Sequence, residues 1–374
     1  MRILYFLERF WPLIGGVEVI SARVVPELRA RGHEILVVTD REHDGLPERD
    51  EWAGVPIRRV SFLEPLRDRD LAGLAEARVQ PAGIAAEHRP DLAHVTFTGA
   101  AVYFGRRSVL GAPVLASFHG AWPIMQADPG GALERMLAEA LWVTGCAESA
   151  VRHLERIAPR VVAGKTSVVL NGFDPPDDRE PDPPPPGPPV LFGAGRLVTF
   201  KGFDVAIAAF AKAAPQLGDA RLVIAGDGPE RAALEQQARE AGLADRVEFL
   251  GWLSPDDMHA AFARATAFVM TSRREGLPLV AIEAAHASRP TLASDIDGLP
   301  EIVAHGRTGL LCPMDDIDAF AQGMVALVRD PRRASEMGRR ARERALREFS
   351  ARRHADDWDA LYRRLGAEVG ASAA

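Results

Sequence analysis

The chain of 374 residues is divided near its middle by the stretch Pro175-Pro176-Asp177-Asp178-Arg179-Glu180-Pro181-Asp182-Pro183-Pro184-Pro185-Pro186-Gly187-Pro188-Pro189. Repeated prolines fix the backbone φ angle and remove N–H donors, so this stretch suits neither a helix interior nor a central strand. Its polyproline character predicts a semi-rigid spacer. Because a chain of this length accommodates two domains of roughly 100–200 residues each, we interpret the spacer as the boundary between them.

Short β-like runs alternate with helical patterns on both sides of the spacer, which is typical of βαβ units and parallel sheets. Before it, we predict strands at Ile3–Leu7, Ile35–Thr39, Ile57–Val60, Leu92–Thr96, Val114–Phe118, Trp142–Cys146 and Ser167–Leu170. After it, we predict strands at Val190–Gly193, Arg221–Ala225, Val247–Leu250, Ala267–Met270, Thr291–Ala293 and Gly309–Cys312. The sequence therefore predicts an α/β fold of two doubly wound parallel-sheet domains. Open α/β sheets bind ligands outside the carboxyl ends of their strands, so we expect both domains to turn their working loops into a shared cleft.

The domain boundaries follow from the spacer. We expect a first domain over residues 1–174, a linker over 175–189 and a second domain over 190–354. A last helical stretch, Asp356–Leu365, places apolar side chains on one face. Those side chains are Trp358, Leu361, Tyr362 and Leu365.

Composition excludes several classes of protein. A hydrophobic content of 47% supports sizeable cores, and no segment is long and apolar enough to span a bilayer. The formal net charge of −7 argues against general nucleic-acid binding. Cys146 and Cys312 fit no metal or redox spacing and indicate a reducing cytosol. Charge also interrupts Met1–Arg9 too early for a signal peptide, so we expect a cytoplasmic protein.

One stretch opposes the acidic balance, because Arg332–Arg353 carries nine arginines against three glutamates. One interpretation is a solvated helix face. The alternative is a patch for anionic lipid or an acidic acceptor, which would allow a peripheral contact at the inner face of a membrane.

Two glycine-containing loops suit anions. Arg196 and Lys201 lie just beyond a predicted strand end, and a guanidinium fork with an ammonium group suits a diphosphate. The alternative is two solvated cations. Gly15 and Gly16 precede a helical stretch and leave N–H groups for an anion, although a plain tight turn would also explain them.

Two glutamates bracket another helix start, in Glu275-Gly276-Leu277-Pro278-Leu279-Val280-Ala281-Ile282-Glu283. Proline is tolerated in a first helical turn, which places Glu275 in the preceding loop and Glu283 about a turn and a half inside. A helix start attracts anions and carboxylates accept bonds from sugar hydroxyls, so a sugar attached to a phosphate would satisfy both. The alternative is a solvated loop acid and an ordinary helical glutamate.

Two further features are candidates for a role in the chemistry. His119 ends a predicted strand and could donate to a substrate hydroxyl, although a lone histidine is more often a core or rim residue. The strings Asp68-Arg69-Asp70 and Asp295-Ile296-Asp297 do not supply the several convergent oxygens that a hard cation needs. We therefore predict no metal and no other cofactor.

Together these motifs resemble those of the retaining GT-B glycosyltransferases of family GT4, in the family's order and over essentially the whole chain. The segments that carry the resemblance are Gly15-Gly16, Asn171–Asp174, Arg196 with Lys201-Gly202, Glu275 with Glu283, and Gly298–Val303. The resemblance implies a metal-independent hexosyltransferase-type enzyme that uses a nucleoside-diphosphate sugar. It also implies an acceptor bound mainly by the first domain and a C-terminal helix, at about 355–374, that packs back on that domain.

The resemblance further implies a role for each motif residue. Arg196 and Lys201 would hold the donor diphosphate and stabilise the leaving group, Glu275 would bind the transferred sugar, and Glu283 would bind the ribose. Other donor contacts would come from Gly15, Gly16, His119, Gly251, Trp252, Gly276, Leu277 and Leu279. Many relatives carry paired glycines where this chain has Asp297-Gly298, which could reshape the sugar end of the donor pocket.

Front-face attack, with the departing phosphate accepting the acceptor's proton, is the mechanism usually attributed to this family. It needs no enzymic nucleophile, and Glu18 is the nearest alternative nucleophile in the sequence. A sugar-nucleotide epimerase of the same fold and a catalytically silent sugar-nucleotide-binding protein remain alternatives. The donor base and sugar, the acceptor (a sugar, a lipid-linked glycan or a small molecule), the linkage and the oligomeric state stay open.

Overall fold

The computed structural model describes residues 1–13, 15–41, 45–97, 99–120, 130–176, 179 and 181–373. The chain divides into two compact units, each with its own sheet. The first unit comprises Met1–Phe173 together with Ala351–Ala374, and the second comprises Asp174–Ser350.

The first unit contains a sheet of eight strands. They are β1 (Arg2–Phe6), β2 (Glu34–Asp40), β3 (Arg49–Trp52), β4 (Val55–Val60), β5 (Leu92–Phe97), β6 (Val114–Phe118), β7 (Trp142–Gly145) and β8 (Thr166–Val168). Their order is β3-β4-β2-β1-β5-β6-β7-β8, and β3 pairs with β4 in the antiparallel direction while the other pairs are parallel. The predicted strands are confirmed, but β3 is an additional edge strand that the sequence analysis missed.

In the part of this unit that the structure describes, helices follow or connect the strands. They are α1 (Gly16–Ala30), α2 (Leu63–Asp68), α3 (Leu71–His88), α4 (Ala101–Phe104), α5 (Arg107–Leu110), α6 (Ala132–Glu139), α7 (Glu148–Ile157) and α8 (Pro159–Val162). Apolar residues of β1, β2 and α1, including Ile3, Val37 and Val25, join one fully buried cluster.

The second unit contains six parallel strands. They are β9 (Val190–Ala194), β10 (Arg221–Ala225), β11 (Val247–Gly251), β12 (Ala267–Met270), β13 (Thr291–Ser294) and β14 (Gly309–Cys312). Their order is β11-β10-β9-β12-β13-β14, the doubly wound order of Rossmann-like sheets. Because the winding direction reverses between β9 and β12, the loops after these two strands diverge and leave room for a ligand.

Helices connect the strands of the second unit. They are α9 (Phe203–Ala213), α10 (Arg231–Glu240), α11 (Pro255–Arg264), α12 (Leu279–His286), α13 (Leu299–Ile302), α14 (Ile317–Arg329) and α15 (Pro331–Glu348), with 3₁₀ turns at Thr199–Lys201 and Ala214–Gln216. Phe210, Ile224 and Phe320 are fully buried in a core between the sheet and these helices.

The last helix, α16 (Ala351–Ala373), returns to the first unit and is longer than the predicted segment. Its apolar face is buried against β1 and α1, with Trp358, Tyr362 and Leu365 at most 2% exposed. The predicted packing of the C-terminal helix on the first domain is therefore confirmed.

The proline-rich stretch is held to the second unit by two buried arginines. Arg289 Nη2 donates to the Asp182 carbonyl at 2.8 Å, and Arg342 Nη2 donates to the Arg179 carbonyl at 2.8 Å. Carbonyls in such a stretch have no helical or sheet partner, so side-chain donors satisfy them. Burial lowers the pKa of Arg289 to about 10. The stretch predicted as a separate linker is accordingly counted with the second unit.

The arginine-rich stretch is largely neutralised by neighbouring carboxylates. On α15 and α16 the ion pairs are Arg339–Glu343, Arg340–Glu336, Arg344–Glu348, Arg347–Glu348, Arg352–Asp356 and Arg353–Asp357. Arg342 is buried and serves the proline-rich stretch. The arrangement favours the solvated, ion-paired helix face over a free basic patch.

Two composition-based expectations can be placed in the structure. Cys146 and Cys312 are buried free thiols, one in each unit. Among the helices that the structure describes, none combines the length and the apolar character needed to cross a bilayer.

Candidate active site

The residues predicted to act together in the second unit meet at the ends of β9 and β12. Lys201 follows β9 and Glu275 follows β12, and Lys201 Nζ donates to Glu275 Oε1 at 2.6 Å. Ser272 Oγ donates to the same oxygen at 2.6 Å. Glu275 is only 8% exposed, so its charge is compensated by a charge-assisted bond inside the unit.

The backbone of Glu275 is fixed as firmly as its side chain. Its N–H donates to Asp297 Oδ2 at 2.8 Å, and Asp297 follows β13 with a left-handed φ of 48°. We call Lys201, Ser272, Glu275 and Asp297 the switch-point cluster. Within the described part of the chain Glu275 Oε2 has no hydrogen-bond partner, so this oxygen is available to a ligand.

Gly202 allows the loop after β9 to reach the end of β12. Its φ is +67°, and a Cβ atom there would collide with the Thr271 carbonyl oxygen. Thr271 Oγ1 in turn donates to the Gly202 carbonyl at 2.7 Å. Glycine is required at this position because both the backbone conformation and the close approach exclude a side chain.

Arg196 occupies the same loop with an exposed guanidinium. Its neighbour Leu197 is fully buried, and the Leu197 backbone bonds to Asp227 and Glu230 in the turn after β10. Arg196 makes no ion pair with any residue that the structure describes. The loop is thus anchored by its backbone while the cation stays free for an anionic ligand.

Arg273 is a functional-loop residue that the sequence analysis missed. Its guanidinium forms two bonds to Asp204, at 2.6 and 3.0 Å, and one to Asp315 at 2.7 Å. It also donates to the Thr199 carbonyl at 2.6 Å, which ties the loop of Lys201 to that of Glu275. The hydrogen bond to Asp204 raises the pKa of Arg273. The adjacent pair Arg273-Arg274 before Glu275 was the available signal.

Helix α12 begins at Leu279, directly after Pro278, and no side chain caps its N-terminus. Leu277 is buried, whereas Gly276 and Leu279 are half-buried beside the Glu275 loop. Glu283 lies inside this helix and is half-buried. The predicted arrangement of a loop carboxylate followed by a helical one is present, on the element that follows β12.

Gly251 and Trp252 lie at the end of β11, two strands away from β9. Gly251 has a φ of +71° and its carbonyl accepts the Gly226 N–H at 2.7 Å. Gly195 N–H donates to the Ala225 carbonyl at 3.0 Å, so backbone bonds join the ends of β9, β10 and β11. Trp252 is 68% exposed, a large apolar ring open to a ligand.

In the first unit, Gly15 is the N-cap of α1 and Gly16 is its first residue. The carboxylate of Glu18, in the first turn, lies close against the Gly15 α-carbon. A carboxylate there already complements the positive end of the helix. An incoming phosphate at this start would therefore have a negative neighbour.

His119, at the end of β6, belongs to a polar chain inside the first unit. Its Nε2 lies 3.2 Å from Ser117 Oγ, which lies 2.9 Å from His94 Nε2. Burial lowers the pKa of His119 to about 4, against a smaller opposing effect of the Asn171 side chain. The imidazole is therefore neutral at pH 7 and can donate one hydrogen bond.

The two Asp-x-Asp strings have structural positions. Asp70 is the N-cap of α3 and accepts the Ala72 N–H at 3.1 Å, and Asp297 supports Glu275. No group of three or more histidine, cysteine, aspartate or glutamate side chains suited to a metal ion occurs among the residues that the structure describes.

Two models of known families match consecutive parts of the chain. The model described as Glycosyltransferase Family 4 matches residues 14–176, and the one described as Glycosyl transferases group 1 matches residues 174–344. A Mycobacterium tuberculosis relative, the GDP-mannose-dependent alpha-(1-6)-phosphatidylinositol monomannoside mannosyltransferase, is 33% identical over 184 residues, which are 47% of this chain and 46% of the relative. The matching part spans about half the length of the curated relatives.

Solved structures share the fold over nearly the whole chain. Sucrose-phosphate synthase from Thermosynechococcus elongatus superposes with a TM-score of 0.82 at 22% identity, over 98% of this chain and 100% of that one. Anabaena HepE, solved in complex with UDP and glucose, superposes with a TM-score of 0.78 at 22% identity, over 97% of this chain and 99% of that one. At these identities the likeness establishes the GT-B class of fold for both sheets.

Proposed function

Because the chain belongs to the family 4 glycosyltransferases, we propose that it transfers a sugar, with retention, from a nucleoside diphosphate to an acceptor hydroxyl. The observation that carries the proposal is the Lys201–Glu275 pair at the switch point of the second sheet. Ligands of doubly wound sheets bind at this point. The pair offers a cation for a diphosphate and an open carboxylate oxygen for a sugar.

Lys201 is proposed to donate hydrogen bonds to Glu275 and to the donor phosphates at the same time. An ammonium group has three N–H donors, and one of them is used by Glu275 Oε1. Two remain for phosphate oxygens, and Arg196 adds a planar fork from the same loop. These cations stabilise the charge that grows on the departing diphosphate, the step at which such a site contributes most.

Transfer breaks the bond between the anomeric carbon and the diphosphate oxygen and forms the bond to the acceptor oxygen on the same face. The acceptor's proton passes to the departing phosphate oxygen. Glu275 Oε2 accepts bonds from the sugar hydroxyls and orients the ring, so neither glutamate acts as acid or base. Supporting this division, the other Glu275 oxygen is occupied by Lys201 and Ser272.

The remaining predicted residues are proposed to bind parts of the donor. Glu283 holds the ribose hydroxyls, and the amides of Gly276, Leu277 and Leu279 lie near the sugar and phosphates. Gly251 and Trp252 contact the base, and the exposed indole supports a stacking contact. From the first unit, His119 donates to the transferred sugar, and Gly15 and Gly16 approach the phosphates.

We propose that no metal ion is needed, because Arg196 and Lys201 supply positive charge for the diphosphate. The relatives differ in their donors, since one is named for GDP-mannose and one was solved with UDP. The donor of this chain is therefore proposed only as a nucleoside-diphosphate sugar. The acceptor is proposed as a glycan, glycolipid or small-molecule hydroxyl, and the membrane contact stays a prediction.

A thermal-shift screen across nucleoside diphosphates and their sugars tests the proposal. A ligand of the native state raises the apparent stability, by about 2.7 kcal/mol at a hundredfold excess over its Kd. We expect at least one compound to raise Tm, with no change on adding a chelator. If none does, or if the donor alone yields an isomer without free nucleotide, the proposed transfer is wrong.

Variants of Glu275 and Glu283 test whether the two glutamates have the different roles that we propose. Glu283→Ala should remove most of the shift by the nucleoside diphosphate, whereas Glu275→Gln should preserve that shift and lower turnover. Glu240→Ala, on the exposed face of α10, is the matched control and should change neither. Equal loss of nucleotide binding in the Glu275 and Glu283 variants contradicts the division.

A further inference from the structure

A chain of four side chains connects α16 to His119 through the interior of the first unit. Tyr362 OH lies 2.5 Å from His94 Nδ1, His94 Nε2 lies 2.9 Å from Ser117 Oγ, and Ser117 Oγ lies 3.2 Å from His119 Nε2. Tyr362 and His94 are fully buried and Ser117 is 1% exposed. We call these four residues the His119 relay.

The inner members of the relay bond only to one another. The His94 ring is packed between the rings of Tyr5 and Trp358, with centroid distances of 4.5 and 4.4 Å. Those rings offer no hydrogen-bond partner to its nitrogens. Elsewhere in the described chain, Tyr362 OH and Ser117 Oγ have no further partner either. The positions of the protons are therefore set within the relay.

Burial keeps both imidazoles of the relay neutral at pH 7, because it lowers the pKa of His94 well below its usual value and that of His119 to about 4. Each ring thus carries a single N–H, and each hydroxyl carries a single proton. Two unbroken orders of donation are possible, one running from Tyr362 towards His119 and one running in reverse. A third arrangement, in which both rings donate to Ser117 Oγ, is disfavoured because it leaves the buried Ser117 proton without an acceptor.

The two orders differ in where an unmatched donor is left. In the reverse order, the Tyr362 O–H has no acceptor in a dry aromatic core, where an unsatisfied donor is most costly. In the forward order, Tyr362 donates to His94, His94 donates to Ser117, and Ser117 donates to His119 Nε2. The unmatched donor is then His119 Nδ1–H, at the half-buried end of the relay beside Asn171.

The geometry points to one role, and we propose that Tyr362, His94 and Ser117 are positioning residues that hold His119 with its proton on Nδ1, so that Nδ1 donates to an oxygen of the transferred sugar. This inference rests on the proposed contact between His119 and the donor. His119 Nδ1 is shielded from solvent and has no acceptor at full hydrogen-bond geometry among the described residues. The Asn171 side chain beside the ring raises its pKa, so a sugar oxygen would take the place of Asn171 as the acceptor of the Nδ1 proton.

The first test reads the tautomer directly in the free protein. In ¹⁵N NMR of the histidine side chains, the protonated nitrogen of a neutral imidazole resonates far upfield of the unprotonated one. We expect Nδ1 of His119 to be protonated and Nε2 to be unprotonated, with His119→Asn used to assign the signals. A proton on Nε2 overturns the relay, and it does so whether or not the protein transfers a sugar.

Ser117→Ala tests the origin of the tautomer, because it removes the hydroxyl that donates to His119 Nε2. The relay then no longer reaches the ring, so the His119 signals should move towards the average of two tautomers. Tyr5→Phe is the matched control, since this buried tyrosine touches His94 but bonds to Ser21 outside the relay. It should leave the His119 signals unchanged, and an equal effect of both variants contradicts the relay.

The second test compares two amides in place of the imidazole. The amide of His119→Asn lies where Nδ1 was, and that of His119→Gln lies where Nε2 was. We expect the asparagine variant to retain a kcat/KM for the donor about two- to tenfold above that of the glutamine variant, as one net hydrogen bond predicts. The opposite ranking overturns the Nδ1 donor. Turnover absent from the unmodified protein would instead count against the proposed function and leave the NMR result standing.

Discussion

The switch-point cluster and the His119 relay hold their polar groups in opposite ways. The cluster uses full charges, Lys201 against Glu275, at loops that directly follow two neighbouring strands. The relay uses neutral groups in a dry core and reaches Tyr362, which is 268 positions from His94. Two opposite charges joined by a short hydrogen bond can remain ionised next to a ligand. A series of neutral hydrogen-bonded side chains can instead fix the direction of hydrogen-bond donation inside an apolar core. The cluster is therefore suited to stabilising charge and the relay to positioning one donor.

The largest effect should come from removing the cation of the cluster. Lys201→Ala takes away charge stabilisation of the leaving group and leaves the buried Glu275 without its ionic partner. We expect kcat to fall by about 10²–10³-fold, as on removing a preorganised donor from an active site. Turnover with the donor identified in the thermal-shift screen measures it. Lys212→Ala, which removes an exposed lysine of α9, should leave kcat unchanged.

The next largest effect should come from a substitution that changes only the backbone conformation of the loop that carries Lys201. Gly202→Ala forces a left-handed residue against the Thr271 carbonyl, so we expect a loss of about 2–3 kcal/mol in the free energy of unfolding. Gly218→Ala is the matched control, because Gly218 has a φ of +58° with open space around it. It should cost only about 1 kcal/mol in urea unfolding. Equal losses would mean that the collision is relieved without cost.

Acid should weaken the first unit through its buried histidines. Burial lowers the pKa of His119 to about 4 and that of His354 to about 3, from the usual 6.5. Between pH 4 and pH 6.5 the unfolded chain therefore binds more protons than the folded chain. The stability of the folded state that is present above pH 6.5 falls as the pH decreases towards 4. Because these residues lie in the first unit, we expect it to lose more stability than the second between pH 7 and 5.

The two cysteines make this comparison measurable. Cys146 is buried in the first unit and Cys312 in the second, so each thiol reacts only when its own unit opens. Labelling in urea with a pyridyl disulfide that reacts in acid, followed by mass spectrometry, gives the stability of each unit at each pH. An equal loss at both cysteines would contradict the assignment of the acid effect to the first unit.

The smallest effect is expected at Asp297, whose carboxylate accepts the hydrogen bond from the Glu275 N–H. Asp297→Gly removes the bond to the Glu275 N–H but relieves a left-handed backbone, two effects of about 1 kcal/mol each and opposite sign. Stability should therefore change little, while kcat/KM for the donor falls several-fold because Glu275 is less well placed. Asp297→Asn keeps an acceptor and should retain most activity. Ser288→Gly, at another left-handed residue, should leave kcat/KM unchanged.

Most of the fold could be predicted because its strands are apolar runs between turn signals. Val114–Phe118, Ala267–Met270 and Gly309–Cys312 have the same bounds in sequence and structure. Strand β3 was missed because three of its four residues are charged and the turn joining it to β4 uses Ala53 with a φ of 47°. Alanine rarely adopts that conformation, so the sequence carries no hairpin signal there.

The candidate site likewise contains residues that could be predicted from the sequence and residues that could not. Lys201 and Glu275 could be found because each follows a strand closely, and parallel strand ends come together at one edge of a sheet. Arg273 and Asp297 were not assigned their contacts, because a charged loop residue gives no indication of its partner. Ser117, His94 and Tyr362 were beyond reach as a group, since their meeting depends on the docking of α16.

The return of α16 to the first unit has a consequence for synthesis on the ribosome. The core around β1 needs Trp358, Tyr362 and Leu365, which are made only after the whole of the second unit. The second unit is continuous from Asp174 to Ser350 and can close as soon as it has emerged. The usual N-terminal-first order of domain folding is thereby inverted, and the nascent first unit must wait with an apolar face uncovered until α16 has been made.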